Sequence, residues 1–295
     1  MELKFKTTGS TSAFVKWLKG FKDINSSLLI EVDLESERFV AKSFPTDKSI
    51  VKYSSISFAD TGYEFFGVYD STSSKVDWNE IKDSSADARI KIGIFDILGK
   101  VIDVVNMFAE TDHTLSIDFE LANNITFKGS KTAERVYQGT VLHFASLSLA
   151  MNIKSAQLSD NFIKLDDNTF LTRVCNIGSP SIYEVSADAL TNLYKISSIL
   201  SSDNNDRIKF YSKVVDGQRA LYAYDESHGN YDYLLGYFVD GEDGNTATIA
   251  HKATFVNATK GLTTETLKFT LDTAGASRIL IDSVDSKVII AASKD

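Results

Sequence analysis

The sequence predicts an α+β protein of two similar domains, each with antiparallel sheets and two helices on one face. Three observations predict this class. A unit of one strand, one helix and two or three further strands recurs four times in the 295 residues. Each unit has one helix for at least two strands, so the helices can cover one face of a sheet. The length fits two domains at ~100–200 residues per domain.

The first unit contains the clearest helical pattern, from Ser12 to Asp23. Its apolar residues recur at the i, i+3, i+4, i+7 spacing of a helix with one buried face, and they are Phe14, Trp17, Leu18 and Phe21. Thr11 or Ser12 is the expected N-cap. Two β-type runs follow this helix, SLLIEVD and ERFVAKSF.

The later units repeat this order of elements. In the second, the strand RIKIGIFDI precedes the helix LGKVIDVVNMFA and the strands TLSIDFE and NITFKGS. In the third, SIYEV leads through the cap Ser186 to the helix ADALTNLYKISSIL and the strands RIKFYSKVV and RALYAYD. The fourth has the strand HKATFV, a short helical stretch NATKGL and the strands TLKFTLD, SRILIDS and KVIIAAS. The helices begin near residues 12, 97, 186 and 257, which favours four similar units in two domains.

The composition excludes several classes of protein. The formal net charge is −9, spread evenly along the chain, so the protein is not a generally basic nucleic-acid binder. No apolar run reaches the ~18 residues of a membrane helix, and the amino terminus has no apolar signal-peptide segment. The single cysteine, Cys175, cannot form an internal disulfide, which fits a reducing compartment. We expect a cytoplasmic protein that has no membrane partner.

No group of residues indicates a catalytic or metal site. The four histidines are scattered and have no His or Cys partner at zinc-ligand spacing. The acidic segments Asp203 to Arg207 and Asp240 to Asn245 fit solvated turns better than calcium loops. We therefore expect a protein that is not an enzyme and that has no catalytic residue, metal ion or cofactor.

The candidate functional residues are lysines on the polar faces of the predicted helices. At ~100° per residue, the first helix places three lysines opposite its aromatic residues, namely Lys16, Lys19 and Lys22. Lys100, Lys195 and Lys260 belong to the polar faces of the other three helices. A lysine face taken alone is usually a solvated surface. Four related helices on one side of the same scaffold favour a shared, partly basic surface.

Four segments carry a resemblance to a known family. FVKWLKGFKDIN with LLIEVD, and RIKIGIFDILGKVIDVVN, are similar to the two helical regions of domain one in the DNA sliding clamps. SIYEVSADALTNLYKIS resembles the opening of domain two, and SRILIDSVDSKVIIAASKD resembles the closing hairpin and short tail. The resemblance is to the two-domain subunits that close as trimers. It implies clamp domain one at residues 1–140, an interdomain connector at 141–168 and clamp domain two at 169–295. The polar segment from Tyr69 to Ala88 departs from the family pattern.

The resemblance also implies a function. Clamp subunits close around duplex DNA as a ring and tether a polymerase, while a separate clamp loader hydrolyses nucleotide. Sequence-independent contacts between lysines and phosphates suit a protein that slides. The implied partners are duplex DNA, a DNA polymerase, a clamp loader and further copies of the chain in a homotrimer. The implied location is the cytoplasm, including that of an infected bacterium.

The resemblance assigns two further sites by position. Subunits pair by strand addition, here between Glu134 to Val141, with Val136 and Tyr137, and Tyr231 to Val239, with Leu234 and Tyr237. Both segments can equally be internal strands. The partner pocket of clamps lies between the connector and the last strand, which gives Leu147, Leu149, Met151, Val288, Ile289 and Ile290. These six residues can equally be plain core.

Two other functions remain open. One is a structural or assembly β protein, for example of a phage particle, which would form no ring that retains circular DNA. The other is a two-domain ligand-binding protein, which would have a polar pocket and bind a specific small molecule.

Overall fold

The chain forms two compact units in the computed structural model. Unit 1 comprises Met1–Ser43 and Ser54–Asp167, and unit 2 comprises Phe44–Tyr53 and Asn168–Asp295. The structure describes residues 1–45, 47, 49–80, 90–118, 124–126, 133–135, 140–155, 175–200, 207–225, 232–262, 266–274 and 278–292.

The elements of unit 1 are mostly strands. In chain order they are β1 (Glu2–Thr7), α1 (Ser12–Lys22), β2 (Leu28–Asp33), β3 (Arg38–Ser43), β4 (Ile50–Ser57), the one-turn α2 (Phe58–Thr61), β5 (Tyr63–Tyr69), β6 (Lys75–Val76), β7 (Ile90–Ile94), α3 (Leu98–Phe108), β8 (Thr114–Asp118), β9 (Asn124–Thr126), β10 (Ala133–Arg135), β11 (Val141–Ala145) and β12 (Ala150–Lys154). Strand β4 is divided, since residues 50–53 belong to unit 2 and residues 54–57 to unit 1.

Unit 2 contains the remaining elements. They are β13 (Pro180–Ser186), α4 (Ala187–Leu200), β14 (Arg207–Val215), β15 (Gln218–Asp225), β16 (Asp232–Gly241), β17 (Ala247–His251), α5 (Lys252–Thr259), β18 (Thr266–Asp272), β19 (Arg278–Asp282) and β20 (Ser286–Ala291). Its strands are antiparallel in the order β17-β14-β15-β16-β13-β18-β19-β20, after which β4 follows.

Unit 1 builds its core between antiparallel strands and two helices. Six strands pair in the order β12-β11-β8-β1-β5-β6, and β2 pairs with both β3 and β7. Helices α1 and α3 pack against one another. Their apolar faces join the inward residues of the strands in one buried cluster, which includes Phe14, Leu18, Val101 and Val105. The ring of Phe5 contacts those of Phe39, Phe58, Tyr63 and Phe65 at its centre.

Unit 2 repeats this arrangement with an aromatic core of its own. Phe210 on β14 lies between Phe255 of α5 and Phe269 of β18, with ring centroids 4.7 and 5.3 Å away. Helix α4 buries Leu190 and Leu193, and its Tyr194 contacts the Phe255 ring. Both units therefore place a pair of helices against antiparallel strands, which confirms the predicted α+β class with two helices on one face of each domain.

One predicted element is wrong, and one predicted N-cap residue lacks a side-chain cap bond. HKATFV was predicted to be a strand, but β17 ends at His251 and the following residues open α5. Phe255, Ala258 and Thr259 are buried at helical spacing, so packing on the sheet decides for a helix over local β-propensity. Thr11 occupies the N-cap position of α1 without a side-chain cap bond. The hydroxyl of Ser10 accepts a hydrogen bond from the amide of Ser12 instead.

The units depart from the predicted boundaries in two places. Residues 44–53 belong to unit 2 although their neighbours in sequence belong to unit 1. The predicted connector, 141–168, begins within the β11–β12 hairpin, which completes the six-stranded sheet of unit 1. The first part of the polar segment from Tyr69 to Ala88 forms a strand pair, because β6 folds back on β5 around a turn held by Asp70.

Candidate nucleic-acid interface

Helix α1 sets the three predicted lysines on the solvent side of unit 1. Its apolar face, with Phe14, Leu18 and Phe21, is buried in the core. Lys16, Lys19 and Lys22 follow at intervals of three residues and are all exposed. At 1.5 Å rise per residue, the stripe extends roughly 9 Å along the helix. It presents a short row of ammonium groups that can contact successive phosphates of a nucleic acid.

Helix α3 lies beside α1 in the same helical layer. Lys100, Asp103, Asn106 and Met107 form its exposed face, while its other side is buried. Because α1 and α3 pack together, Lys100 and the α1 lysines belong to one layer of unit 1. The acidic groups of this layer are Asp103 and residues at the helix ends, including Glu110, whose carboxylate accepts a hydrogen bond from Ser10.

The helical layer of unit 2 has fewer exposed lysines. The hydroxyl of Ser186 accepts a hydrogen bond from the amide of Ala189 and so caps α4, as predicted. Lys195 lies on the exposed side of that helix. Lys260 is also exposed, one residue beyond the end of α5. The structure therefore exposes all six predicted lysines, four on unit 1 and two on unit 2.

A basic residue in the first turn of α5, Lys252, was missed. It is half-buried and precedes the buried Phe255 and Ala258. It was missed because HKATFV was predicted to be a strand, in which successive side chains of residues 252–256 would point to opposite faces. The spacing of Phe255, Ala258 and Thr259 at i, i+3, i+4 is the sequence signal that indicates the helix.

The predicted subunit-contact residues divide into two groups. Val136 and Tyr137 lie outside the described residues. Leu234 and Tyr237 on β16 are 37% and 45% exposed, which is high for large apolar side chains. Strand β16 pairs with β15 from Asp232 onward, but its pairing with β13 begins only at Gly236. A Cβ at Gly236 would collide with the carbonyl of Glu184, so glycine permits this close approach.

The structure buries some of the residues that were predicted to line the partner pocket. Val288 and Ile290 on β20 are fully buried, so the prediction that they line an open pocket is wrong. Inward residues of a strand in a closed core cannot reach a partner. Leu147 and Leu149 are exposed in the β11–β12 turn, whereas Met151 packs against the core of unit 1.

A cavity of about 760 Å³ lies in unit 2, and Ile289, a buried residue on the opposite face of β20 from Val288 and Ile290, is one of the residues that line it. Tyr53, Cys175 and the β19–β20 turn with Val284 line the rest of it. Lys287 and Asp282 form an ion pair of 3.2 Å at its edge. Burial raises the pKa of the Cys175 thiol, so this group stays protonated at neutral pH.

The described residues show neither a metal cluster nor a membrane helix. No group of three or more His, Cys, Asp or Glu side chains among them is arranged to hold a metal ion. Within the same ranges, no helix has the length and apolar character needed to cross a bilayer. His113 is buried and His143 lies on the sheet surface, where it bonds to Asp118 and Asn152.

These features define a fold class. Matches to solved structures over nearly the whole chain show that the fold is that of DNA sliding clamps. The chain is similar to a subunit in the PCNA2–PCNA3 complex of Sulfolobus tokodaii, with 13% identity, a TM-score of 0.59 and 99% of each chain covered. The chain is also similar to proliferating cellular nuclear antigen of Entamoeba histolytica, with 11% identity, a TM-score of 0.58 and 99% of each chain covered.

A third solved structure with the same fold is also a PCNA. PCNA of A. fulgidus, whose structure has the C-terminal region of FEN-1 bound, gives 10% identity, a TM-score of 0.57 and 99% of each chain. Comparison of the sequence with protein families and with curated proteins finds no match.

Proposed function

We propose that this protein is a sliding clamp, which encircles duplex DNA as a ring and tethers a replicative DNA polymerase. The observation that carries the proposal is the exposed row of Lys16, Lys19 and Lys22, on a helix of a fold that matches PCNA structures over 98–99% of the chain. The role is topological and requires no active site, so the protein itself is not an enzyme. It acts in the cytoplasm, including that of an infected bacterium.

The helical layers are the DNA-facing surface in this proposal. Lys16, Lys19, Lys22 and Lys100 of unit 1 contact phosphates, together with Lys195 and Lys260 of unit 2. Lysine ammonium groups attract phosphate without reading bases, so the ring binds all sequences alike and can slide. The net charge of −9 supports this arrangement, because an acidic exterior repels DNA from other surfaces.

The ring closes through strand edges. In the described part of unit 2, residues 232–235 of β16 pair only with β15, and Leu234 is exposed there. In the described part of unit 1, β12 pairs only with β11. Each is an edge at which a strand of another copy can add. We propose a homotrimer, and a ring of two subunits is the alternative outcome for a mass measurement.

The polymerase and the clamp loader dock outside the helical layers. The cavity beside Ile289 offers apolar groups from Tyr53 and Val284 next to polar ones, as peptide and ligand sites generally do. The solved complex in which A. fulgidus PCNA binds the C-terminal region of FEN-1 supports docking by a short segment of a partner. The exposed Leu147 and Leu149 are a second candidate contact.

A topological test distinguishes this function from others. The protein is loaded on nicked circular DNA with its loader, and the bound fraction is measured before and after linearisation. A clamp remains on the circle and leaves once ends are available. A structural β protein or a small-molecule binder would show no dependence on DNA topology, and equal retention on the two forms would refute the proposal.

A further inference from the structure

Lys52 is a buried charged residue from the first part of the chain. It lies on the part of β4 that belongs to unit 2, and only 3% of its surface is exposed. Its Nζ donates a hydrogen bond of 2.7 Å to the carbonyl oxygen of Lys260, which lies 208 residues later in the sequence. Because a buried ammonium is costly without partners, its placement beside this carbonyl needs a physical reason.

The carbonyl that Lys52 binds lies at the end of α5. The helix ends at Thr259, and Lys260 leaves it with φ −58° and ψ 129°. Gly261 then turns the chain with φ +83°, a conformation that favours glycine. The last carbonyls of a helix lack partners within the helix and carry its negative partial charge. The ammonium of Lys52 satisfies the Lys260 carbonyl, which lies just beyond the helix, and a cation this close to the C-terminal end of α5 also interacts favourably with the helix dipole.

A second contact holds the same end of α5. The hydroxyl of Tyr194, on α4, is hydrogen-bonded to that of Thr259. Thr259 in turn donates to the carbonyl of Phe255 at 2.7 Å. The end of α5 is thus fixed from the neighbouring helix by Tyr194 and from the sheet by Lys52. Lys260, the exposed residue that follows, has its backbone held while its side chain faces solvent.

We propose that Lys52 is a positioning residue, which fixes the backbone of Lys260 and so holds its side chain at the surface that meets DNA. Lys52 is too buried to touch DNA itself. The part of this inference that concerns DNA rests on the proposed function. It goes beyond that function because the phosphate contact of Lys260 would depend on Lys52, which is far away in the sequence.

Hydrogen exchange tests the anchoring without DNA. The amides of Lys260 and Leu262 donate to the carbonyls of Val256 and Thr259. In Lys52→Met, these two amides should exchange at least about 10-fold faster, because the hydrogen bond from a charged donor at the helix end is absent. Lys52→Arg keeps a cation and a donor, and it should restore most of the protection. Unchanged exchange in Lys52→Met would overturn the anchoring role.

A second buried lysine provides the matched control. Lys42, on β3 of unit 1, is equally buried, with its Nζ 3.8 Å from a carboxylate oxygen of Glu31. Lys42→Met removes a similar charge without touching α5. It should leave the exchange of Lys260 and Leu262 unchanged. If it accelerates these two amides as much as Lys52→Met does, the effect is general loss of stability and the inference fails.

The consequence for DNA is measured by salt dependence. Lys260→Gln should reduce the magnitude of the negative slope of log K against log[salt] for duplex binding by about 0.9 for each phosphate that is no longer neutralised. Lys52→Met should reduce this magnitude by a similar amount, and the double variant should reduce it no further. Additive decreases would contradict action through Lys260. If exchange responds but Lys260→Gln leaves the slope unchanged, the proposed DNA contact fails, whereas unchanged exchange overturns only the role of Lys52.

Discussion

The hydroxyl of Tyr63 donates a hydrogen bond of 2.7 Å to Nε2 of His113 in the core of unit 1. The direction follows from the other ring nitrogen. Nδ1 lies 2.8 Å from the carbonyl oxygen of Thr111, which can only accept. Nδ1 therefore carries the proton of a neutral imidazole, and Nε2 accepts. His113 also joins two strands, because Thr7 and His113 exchange hydrogen bonds through the Thr7 hydroxyl.

Tyr63→Phe should destabilise unit 1. The change leaves Nε2 of His113 without its donor in a buried site, and an unsatisfied buried acceptor costs about 1–3 kcal/mol. Urea unfolding followed by fluorescence would measure the decrease in stability. Tyr69→Phe is the control, since Tyr69 is half-buried on the outer side of the sheet and surface changes usually stay within about 0.5 kcal/mol. Equal effects of the two variants would contradict this account of Tyr63.

Acid should destabilise the protein through His113. Burial lowers the pKa of this imidazole below its ordinary 6.5, although its bond to Thr111 opposes the shift. The unfolded chain then binds the proton more readily than the folded chain. The contribution to the free energy of unfolding is complete above pH 6.5 and is lost as the pH falls towards the folded pKa. NMR titration of His113 checks the direction, and a pKa above 6.5 would refute it.

His143 should behave in the opposite way. Partial burial disfavours its charged form, but hydrogen bonds to Asp118 and Asn152 outweigh this and raise its pKa above 6.5. Its contribution to stability is therefore present at low pH and is lost as the pH rises through the folded pKa. Asp118→Asn should lower the pKa of His143 in an NMR titration. A pKa that does not move would show that Asp118 is not the cause.

Reversing the charge of the α1 stripe should impair DNA retention. In the variant with Lys16→Glu, Lys19→Glu and Lys22→Glu, repulsion replaces attraction at each phosphate. The magnitude of the negative slope of log K against log[salt] should decrease by about 0.9 for each phosphate that the helix no longer binds. The circular dichroism spectrum should be unchanged, because all three side chains are exposed.

A strand variant supplies the control for this prediction. Lys6→Glu, Lys75→Glu and Lys268→Glu change the net charge equally at exposed lysines on β1, β6 and β18. This variant should keep more of the retention on nicked circular DNA. An equal decrease in the two variants would show that net charge matters and the helical layer does not.

A charge at the free part of β16 should prevent ring assembly. Leu234→Lys places an ammonium at an exposed apolar site beside the unpaired edge, so strand addition by another copy would bury it. Light scattering at micromolar concentration should shift from about three subunits towards one. Val214→Lys, at a residue of β14 that is 56% exposed, should leave the mass unchanged. A trimer that persists in Leu234→Lys would exclude this edge.

The helices and most strands could be predicted because their residues repeat with a clear period. Phe14, Leu18 and Phe21 define the buried side of α1 by spacing alone, and the lysines must then lie opposite. The prediction failed at α5, where local β-propensity was followed instead of the helical spacing of the buried residues. Residues 252–256 have the composition of a strand, yet they form the start of α5, from which Phe255 contacts the rings of Phe210 and Phe269. The buried Lys52 had no sequence signal, because an isolated lysine in a polar strand normally faces water.

The α+β class, the two pairs of helices and the exposure of the six predicted lysines follow from the sequence alone, since these depend on local periodicity and on the cost of burying a charge. The folded chain was needed to show that residues 44–53 belong to unit 2, that Val288 and Ile290 are core, and that Lys52 bonds to Lys260. Such pairings join residues far apart in the chain. Their partners are chosen by sheet register and by the need to satisfy buried polar groups, which no short stretch of sequence contains.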